Sequence, residues 1–374
     1  MKIALFLNSY VRGGAERYTE ILAEGLRDRG YDMYLVCPSK SPVRAHLANR
    51  IQTIDCELGP KVGSRNLKVD LIKWPVYGIR LLLVLVRLRR AQVKVVVFQF
   101  KKEQILGSPL ARMLGLRVIW VEHGPPHKAI RSGFPAIAYR LASRLSSAVI
   151  VPSIATRKVL EAEMGVTRVR IIHHGIDVRL VMRRCDALQG SKQRKTDRVV
   201  ITNVCRLSKD RGHEVFIEAS RKIHDLYPDV EFWIVGDGPE MPAVEARLTS
   251  LGANWITLWG EAKDVLEFLC ETDIFVSSSY AEGEGLPIRI LEAMAVGLPT
   301  VATDIGGTSE ALGADGGILV PPRNSDALAG GIERLISDRD LRVRLGTGAQ
   351  ARALALFNVD DMLTKTSDLL REVA

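Results

Sequence analysis

Short apolar, β-branched runs alternate with stretches of helical periodicity along the whole chain. "KIALFLN" near the start is followed by "AERYTEILAEGLRDRG", whose apolar residues recur at helical spacing and which ends on Gly30. "DMYLVCP", "VKVVVFQF", "LRVIWVEHG", "SAVIVPS" and "VRIIHHGID" read as further strands. Runs that are apolar throughout, separated by helices, predict a parallel sheet covered on both faces. From Val178 to Arg198 the chain turns polar and basic ("RRCDALQGSKQRKTD") and reads as a linker. The alternation then restarts with "RVVITNVCRL", "VEFWIVGDGPE", "NWITLWGE", "DIFVSSSY", "LPTVATD" and "GGILVPP", a second parallel α/β domain. Two such domains predict a ligand cleft between them, outside the carboxyl ends of the strands. The last helical pattern, from Leu341 to Ala374, is long for a tail and is expected to pack back on the first domain. The expected boundaries are 1–180, 181–355 and 356–374.

At 374 residues, with 47% hydrophobic and 25% charged residues, the chain has the composition of a folded two-domain protein. Its net charge of +9 is uneven. Met1–Asp177 holds 29 Lys and Arg against 13 Asp and Glu, a balance of +16, and the rest balances at −7. A basic first half suggests an anionic neighbour: a membrane, a polyanion or nucleic acid. The five cysteines (Cys37, Cys56, Cys185, Cys205, Cys270) are scattered without a CxxC pair and read as reduced cytosolic thiols. The apolar run of "MKIALFLNSYVRGG" stops at Asn8 with no cleavage-site pattern, so it reads as a buried strand rather than a leader, and the protein is expected in the cytoplasm. Between Leu71 and Phe100 the sequence is too interrupted by Lys and Arg to span a bilayer. Lys73, Arg80 and Arg87 recur every seven residues, a basic stripe along an apolar helix. A core helix with a solvated edge explains it, and so does a helix lying on an anionic lipid surface.

Several loops at strand ends carry candidate chemistry. Gly13 and Gly14 in "NSYVRGGAERY" would let backbone N–H groups approach an anion at a helix start, although a tight strand-to-helix turn explains them too. "NVCRLSKDRGHE" places Arg206, Lys209 and Arg211 at a strand's carboxyl end, where guanidinium groups suit phosphate; solvated surface is the plain alternative. Gly236 and Gly238 in "IVGDGPE" fit a sharp turn or close passage by a ligand. In "YAEGEGLPIRILEAMAVG", Pro287 suits a first helical turn, Glu284 precedes the helix and Glu292 lies about one turn inside. Compensation of the helix dipole and an Arg289–Glu292 pair account for Glu292. They leave unexplained why "EGEGLP" combines acids with glycines that bare the backbone. A ligand bearing both hydroxyls and phosphates would use both. Glu282 reads as solvated loop. Among the histidines, His123 stands at a strand end and is a better candidate than His173 or His174. No metal-spaced Cys/His set, HExxH or GxSxG appears.

In this order the motifs resemble those of the retaining glycosyltransferases of family 4, over nearly the whole chain. The family's E-x7-E matches Glu284 and Glu292, "GRLxxxKG" matches "CRLSKDRG", "GxGP" matches "GDGP", "NGID" matches "HGID", and "LEAMAxGxPVVAT" matches "LEAMAVGLPTVAT". The resemblance implies an α/β protein of the GT-B fold, two Rossmann-like parallel-sheet domains facing each other across a cleft. It implies a nucleotide-diphosphate sugar as co-substrate, held by the second domain with no metal or other cofactor. Glu292 would accept from the ribose hydroxyls and Glu284 would hold the donor sugar. Arg206 and Arg211 would neutralise the diphosphate, helped by backbone N–H groups of Gly285, Leu286 and Ile288, with Pro287 in the same donor-binding turn. Gly236 belongs to the same loops, and the base would lie against backbone near Gly260, Ala262 and Lys263. Gly13 and Gly14 would close on donor or acceptor, and His123 would stand close to the reacting centre. Gly306, Gly307 and Glu310 fit a trailing "GGxxE". Two departures are visible: Arg211 stands where the family usually has lysine, and His174 where it often has asparagine.

The implied reaction is transfer of the sugar with retention at the anomeric carbon. The basic half suggests a lipid-linked or cell-surface polysaccharide acceptor at the inner face of the membrane. A soluble enzyme making a small glycoside is the alternative. A non-catalytic, nucleic-acid-binding nucleotide sensor is a third, and no aromatic-interleaved basic motif supports it.

Overall fold

The computed structural model describes residues 1–11, 13–59, 73–191, 198–281 and 283–374. The apolar runs form strands because helices cover both faces, so every position along them is a core position. Contacts divide the chain into two units, Met1–Gly175 with Asp360–Ala374, and Ile176–Val359.

Unit 1 is built on β1 (Lys2–Phe6), β2 (Asp32–Cys37), β3 (Gln52–Asp55), β4 (Val95–Phe98), β5 (Arg117–Val121), β6 (Ala148–Val151) and β7 (Val169–Ile171). They form one parallel sheet in the order β3-β2-β1-β4-β5-β6-β7. The order reverses between β1 and β4, where Ile3–Phe6 run beside Val95–Phe98. Phe6 and Phe98 meet edge to face at 4.8 Å across this pair. Burying each such ring contributes about 2–3 kcal/mol. Helix α1 (Gly14–Asp28) follows β1. Helices α2 (Trp74–Arg90), α3 (Ser108–Met113) and α4 (Gly133–Ser143) pack side by side as one layer, together with a π-turn at Glu103–Gly107. The α2 face turned inward carries Tyr77, Leu81, Leu85 and Leu88, all buried. Lys73, Arg80 and Arg87 are exposed, a solvated basic edge.

Unit 2 contains β8 (Val200–Val204), β9 (Glu231–Val235), β10 (Ile256–Gly260), β11 (Ile274–Ser277), β12 (Thr300–Thr303) and β13 (Gly317–Val320). Its parallel sheet has the order β10-β9-β8-β11-β12-β13 and reverses between β8 and β11. The helices that matter for the site are α6 (His213–Leu226) and α7 (Ile288–Val296). Among the described residues, no helix is long and apolar enough to cross a membrane.

Three expectations are corrected. The supposed linker is largely helix α5 (Val178–Ser191), and 192–197 lie outside the described residues. Val181, Cys185 and Leu188 share one face of α5 and pack beside Leu266 and Val296, so a helical stripe was hidden inside a basic run. The long final pattern is two helices, α8 (Arg339–Leu356) and α9 (Val359–Val373). They break at Phe357, which is buried and whose carbonyl accepts from Ile176 N. Within unit 1, α9 lies against α1, with Leu363 so close over Gly25 that a Cβ there would come within 2.2 Å of its Cδ1. Arg29 also reaches Asp360 at 3.0 Å. Finally, Cys185 and Cys270 form a disulfide rather than remaining thiols, because α5 brings together two residues 85 apart in sequence. Cys37, Cys56 and Cys205 are free, and burial pushes each thiol up to about 12.

Candidate functional site

The strand-order reversal in unit 2 opens the carboxyl edge of its sheet, and the loops that follow β8, β9, β10, β11 and β12 gather there. They are joined backbone to backbone. Tyr280 N donates to Asp210 O at 2.9 Å, Glu240 N to Leu207 O at 3.0 Å, Gly236 N to Gly260 O at 2.8 Å and Gly307 N to Gly285 O at 2.7 Å. Gly306 is where this closeness demands glycine. Its φ is +54°, and a Cβ would fall 2.0 Å from Glu284 O. Gly236 and Gly238 answer to the same need, since a Cβ on either would strike the carbonyl of Cys205 or Leu207. Loop packing thus accounts for the glycines of "GDGP".

Arg211 and Glu284 meet in this cluster, Nη1 to Oε2 at 2.5 Å. Ser279 Oγ donates to the same carboxylate oxygen at 3.2 Å. Glu284 raises the Arg211 guanidinium above its ordinary range, outweighing the opposing effect of burial. Arg206 and Lys263 are exposed on neighbouring loops, and Arg206 has no ion-pair partner among the described residues. His213 opens α6 and braces the basic loop through Nε2, 2.9 Å from Ser208 O. Burial lowers its pKa below the ordinary histidine value.

Pro287 caps α7 with extended backbone, and Gly297 ends the helix at φ +88°. Leu286 and Ile288 are buried beside the cap, which anchors the first turn. As at any helix start, the first N–H groups lack intrahelical acceptors and face the loop cluster's end of the helix. Glu292 accepts from Arg289 Nη1 at 2.6 Å, as the three-residue spacing predicts. Glu284 and Glu292 therefore both stand in ion pairs. Glu282 lies outside the described residues.

In unit 1, His123 follows β5. Its Nε2 lies 3.0 Å from Gln99 Oε1, and an amide oxygen only accepts, so this nitrogen carries the proton. Thr19 Oγ1 lies 2.9 Å from the same oxygen. Tyr18, fully buried, packs against both His123 and His174 at ring distances of 5.2 and 4.9 Å, and the two histidine rings are 5.8 Å apart. Gly13 caps α1 and Gly14 begins it, but the helix start is not bare. The buried Glu16 carboxylate folds toward Gly13, where a Cβ would lie 3.0 Å from Oε2. An anion arriving there would meet a like charge.

A buried group behind His123 escaped the sequence reading. Lys101 pairs with Glu122, Tyr139 OH donates to Glu122 Oε1 at 2.6 Å, and the Lys101 ammonium sits over the Tyr139 ring at 4.9 Å. Burial pulls the Lys101 ammonium down, opposed by Glu122 beside it. The available signal was "QFKKEQ", charges set immediately after an apolar strand of a parallel sheet.

Two Rossmann-like parallel sheets, one with arginine and glutamate at its strand ends, define the GT-B class of glycosyltransferases. The fold matches that of Anabaena Alr3699/HepE in complex with UDP at a TM-score of 0.80 and 21% identity, over 100% of both chains. Residues 198–338 match the sequence model described as Glycosyl transferases group 1, and residues 12–180 match Glycosyltransferase Family 4. The chain belongs to this family. It is 24% identical over 372 residues to the UDP-Gal:alpha-D-GlcNAc-diphosphoundecaprenol alpha-1,3-galactosyltransferase of Escherichia coli, covering 95% of this chain and 93% of that enzyme. It is 30% identical over 182 residues to the alpha-D-kanosaminyltransferase of Streptomyces kanamyceticus, a match spanning 47% of this chain and only 46% of that protein.

Proposed function

We propose that the protein is a retaining, metal-independent glycosyltransferase. It moves a sugar from a nucleotide-diphosphate sugar to a lipid-linked or cell-surface polysaccharide intermediate at the inner face of the membrane. The observation that carries this reading is the Arg211–Glu284 pair beside the first turn of α7, with Glu292 one turn further in. Cations and helix N–H groups suit the diphosphate, and carboxylates suit sugar and ribose hydroxyls. In the reaction, the bond from the anomeric carbon to the diphosphate oxygen breaks. A bond to the acceptor oxygen forms on the same face, and the acceptor proton passes to the departing diphosphate. The protein's part is positioning and charge stabilisation, with Arg206 and Arg211 taking the role a metal would otherwise fill. Glu16 at the start of α1 favours a hydroxyl-bearing acceptor over a phosphate near Gly13 and Gly14. His123, its Nε2 proton held by Gln99, would present Nδ1 as an acceptor for a sugar hydroxyl. The printed name of the E. coli relative, a galactosyltransferase acting on a diphosphoundecaprenol-linked sugar, supports the acceptor class.

A small soluble acceptor is the second reading, favoured by the kanosaminyltransferase, which is named for the sugar it transfers and not for a lipid. A thermal-shift panel of UDP-, GDP- and ADP-sugars selects the donor, because a ligand of the folded state raises the melting temperature. Transfer is then assayed with EDTA present, and the product anomer is read by NMR. An inverted product, or transfer abolished by EDTA, overturns the proposal.

A further inference from the structure

At the amino edge of the unit 1 sheet, opposite the strand ends that carry His123, a recess of about 440 Å³ is lined by Arg89, Lys94, Arg112, Gly115, Arg117 and Ala374. Four cations converge on it. Two of them follow from the ends of α2 and α3, where a cation offsets the helix dipole, but each such end holds only about half a negative charge. Even with a terminal carboxylate at Ala374, an excess of positive charge remains. None of the four basic side chains has an ion-pair partner among the described residues.

The surroundings indicate what fills it. From Lys73 to Arg144 the sequence has 14 Lys and Arg and only two carboxylates, Glu103 and Glu122, and both are buried. The outward surface of the α2–α3–α4 layer therefore bears cations without acids. It also bears large apolar side chains that no described residue covers: Ile79 and Leu83 on α2, Met113 beside Arg112 on α3, and Phe134, Ile137 and Leu141 on α4, each more than half exposed. Phe134, Ile137 and Leu141 fall on one helical stripe. A soluble phosphate would account for the recess but leave the apolar stripe unexplained. A bilayer of anionic phospholipid accounts for both.

We propose that this face docks on an anionic membrane, with a lipid headgroup phosphate held in the Arg89–Lys94–Arg112–Arg117 recess and the α4 stripe inserted among the acyl chains. The inference rests on the membrane-face reading above, but its test needs neither donor nor turnover, so a failed docking leaves the glycosyl-transfer reading untouched.

The test is flotation with vesicles of phosphatidylcholine alone or mixed with phosphatidylglycerol. The wild-type protein is expected to float with the mixed vesicles only. Arg89→Gln, Arg112→Gln and Arg117→Gln should each weaken binding about fivefold, and the triple variant roughly a hundredfold. Phe134→Ser with Ile137→Ser should leave binding that high salt abolishes. A triple control of equal charge, Arg27→Gln, Lys40→Gln and Arg50→Gln, should bind nearly as wild type. Circular dichroism and melting temperature verify the fold of each variant. A control that loses as much as the recess variants overturns the headgroup site, leaving only diffuse charge. No flotation of the wild type overturns the membrane assignment. Binding of inorganic phosphate that depends on Arg112, without flotation, assigns the recess to a soluble anion instead.

Discussion

Arg211 and Glu284 are 73 residues apart in the chain, yet their side chains meet at 2.5 Å at the strand ends of unit 2. The pair holds the guanidinium in place and favours its charged form, and under the proposed function both groups then stand ready for the diphosphate and the sugar. Removing either member leaves the other as a poorly compensated charge. Glu284→Ala and Arg211→Ala are each expected to lower kcat/KM by about 10²–10³-fold. The double variant should lose little more than the worse single one, since residues acting as a unit are not additive. Losses that multiply would mean that the two act independently. Arg211→Lys, which keeps the charge but not the planar fork, should recover only part of the activity.

Glu292 is bound to Arg289 in the free protein, which raises the question whether it serves only the helix. If its carboxylate accepts from ribose hydroxyls, Glu292→Gln should raise the donor KM by about tenfold, the value of one charge-assisted hydrogen bond, with kcat little changed. Arg289→Gln removes the same ion pair and supplies the control. Equal effects from both variants would reduce Glu292 to a structural role.

His213 links stability to pH. Burial depresses its folded pKa below the ordinary value of 6.5, so below that value the unfolded chain binds more protons than the folded one. Stability from the neutral imidazole is complete above about 6.5 and is lost as pH falls toward the folded pKa. The melting temperature should therefore drop between pH 7.5 and 5.5 by more in wild type than in His213→Gln, which retains a donor toward Ser208 O. Parallel pH curves for the two proteins would contradict the assignment.

Gly306 can be set against Gly252. Both have positive φ, +54° and +58°, but a Cβ at Gly252 meets nothing within 4 Å while one at Gly306 would lie 2.0 Å from Glu284 O. Alanine at either site carries the left-handed penalty of about 1–2 kcal/mol. Only Gly306→Ala should lower the melting temperature further and also weaken donor binding, read by the shift that saturating donor produces.

Much of this was legible in the sequence. Strands such as "VKVVVFQF" are unambiguous because both faces are buried, and the Arg289–Glu292 pair follows from helical spacing alone. What escaped depends on partners far off in sequence. β3 ("QTID") is an edge strand that needs no apolar run, being paired on one side by β2. The apolar stripe of α5 is diluted by arginines, and the Cys185–Cys270 bond requires the tertiary approach of α5 to a residue 85 positions further along the chain. At the site, residue types pointed to Glu284 and Arg211, but nothing in their spacing indicates that they hold each other. Glu16 over Gly13 likewise appears only once α1 has folded.

The direct backbone contacts among the strand-end loops of unit 2 constrain how such a protein can diversify. Gly212, Gly236 and Gly306 each bring one loop against the carbonyl of another, with no side chain between them to absorb a shift. An inserted or deleted residue in any one loop would displace its neighbours, so the floor of the site is inherited as a single piece. Variation is left to exposed side chains at the rim, such as Lys263, which can be exchanged without moving the backbone beneath it.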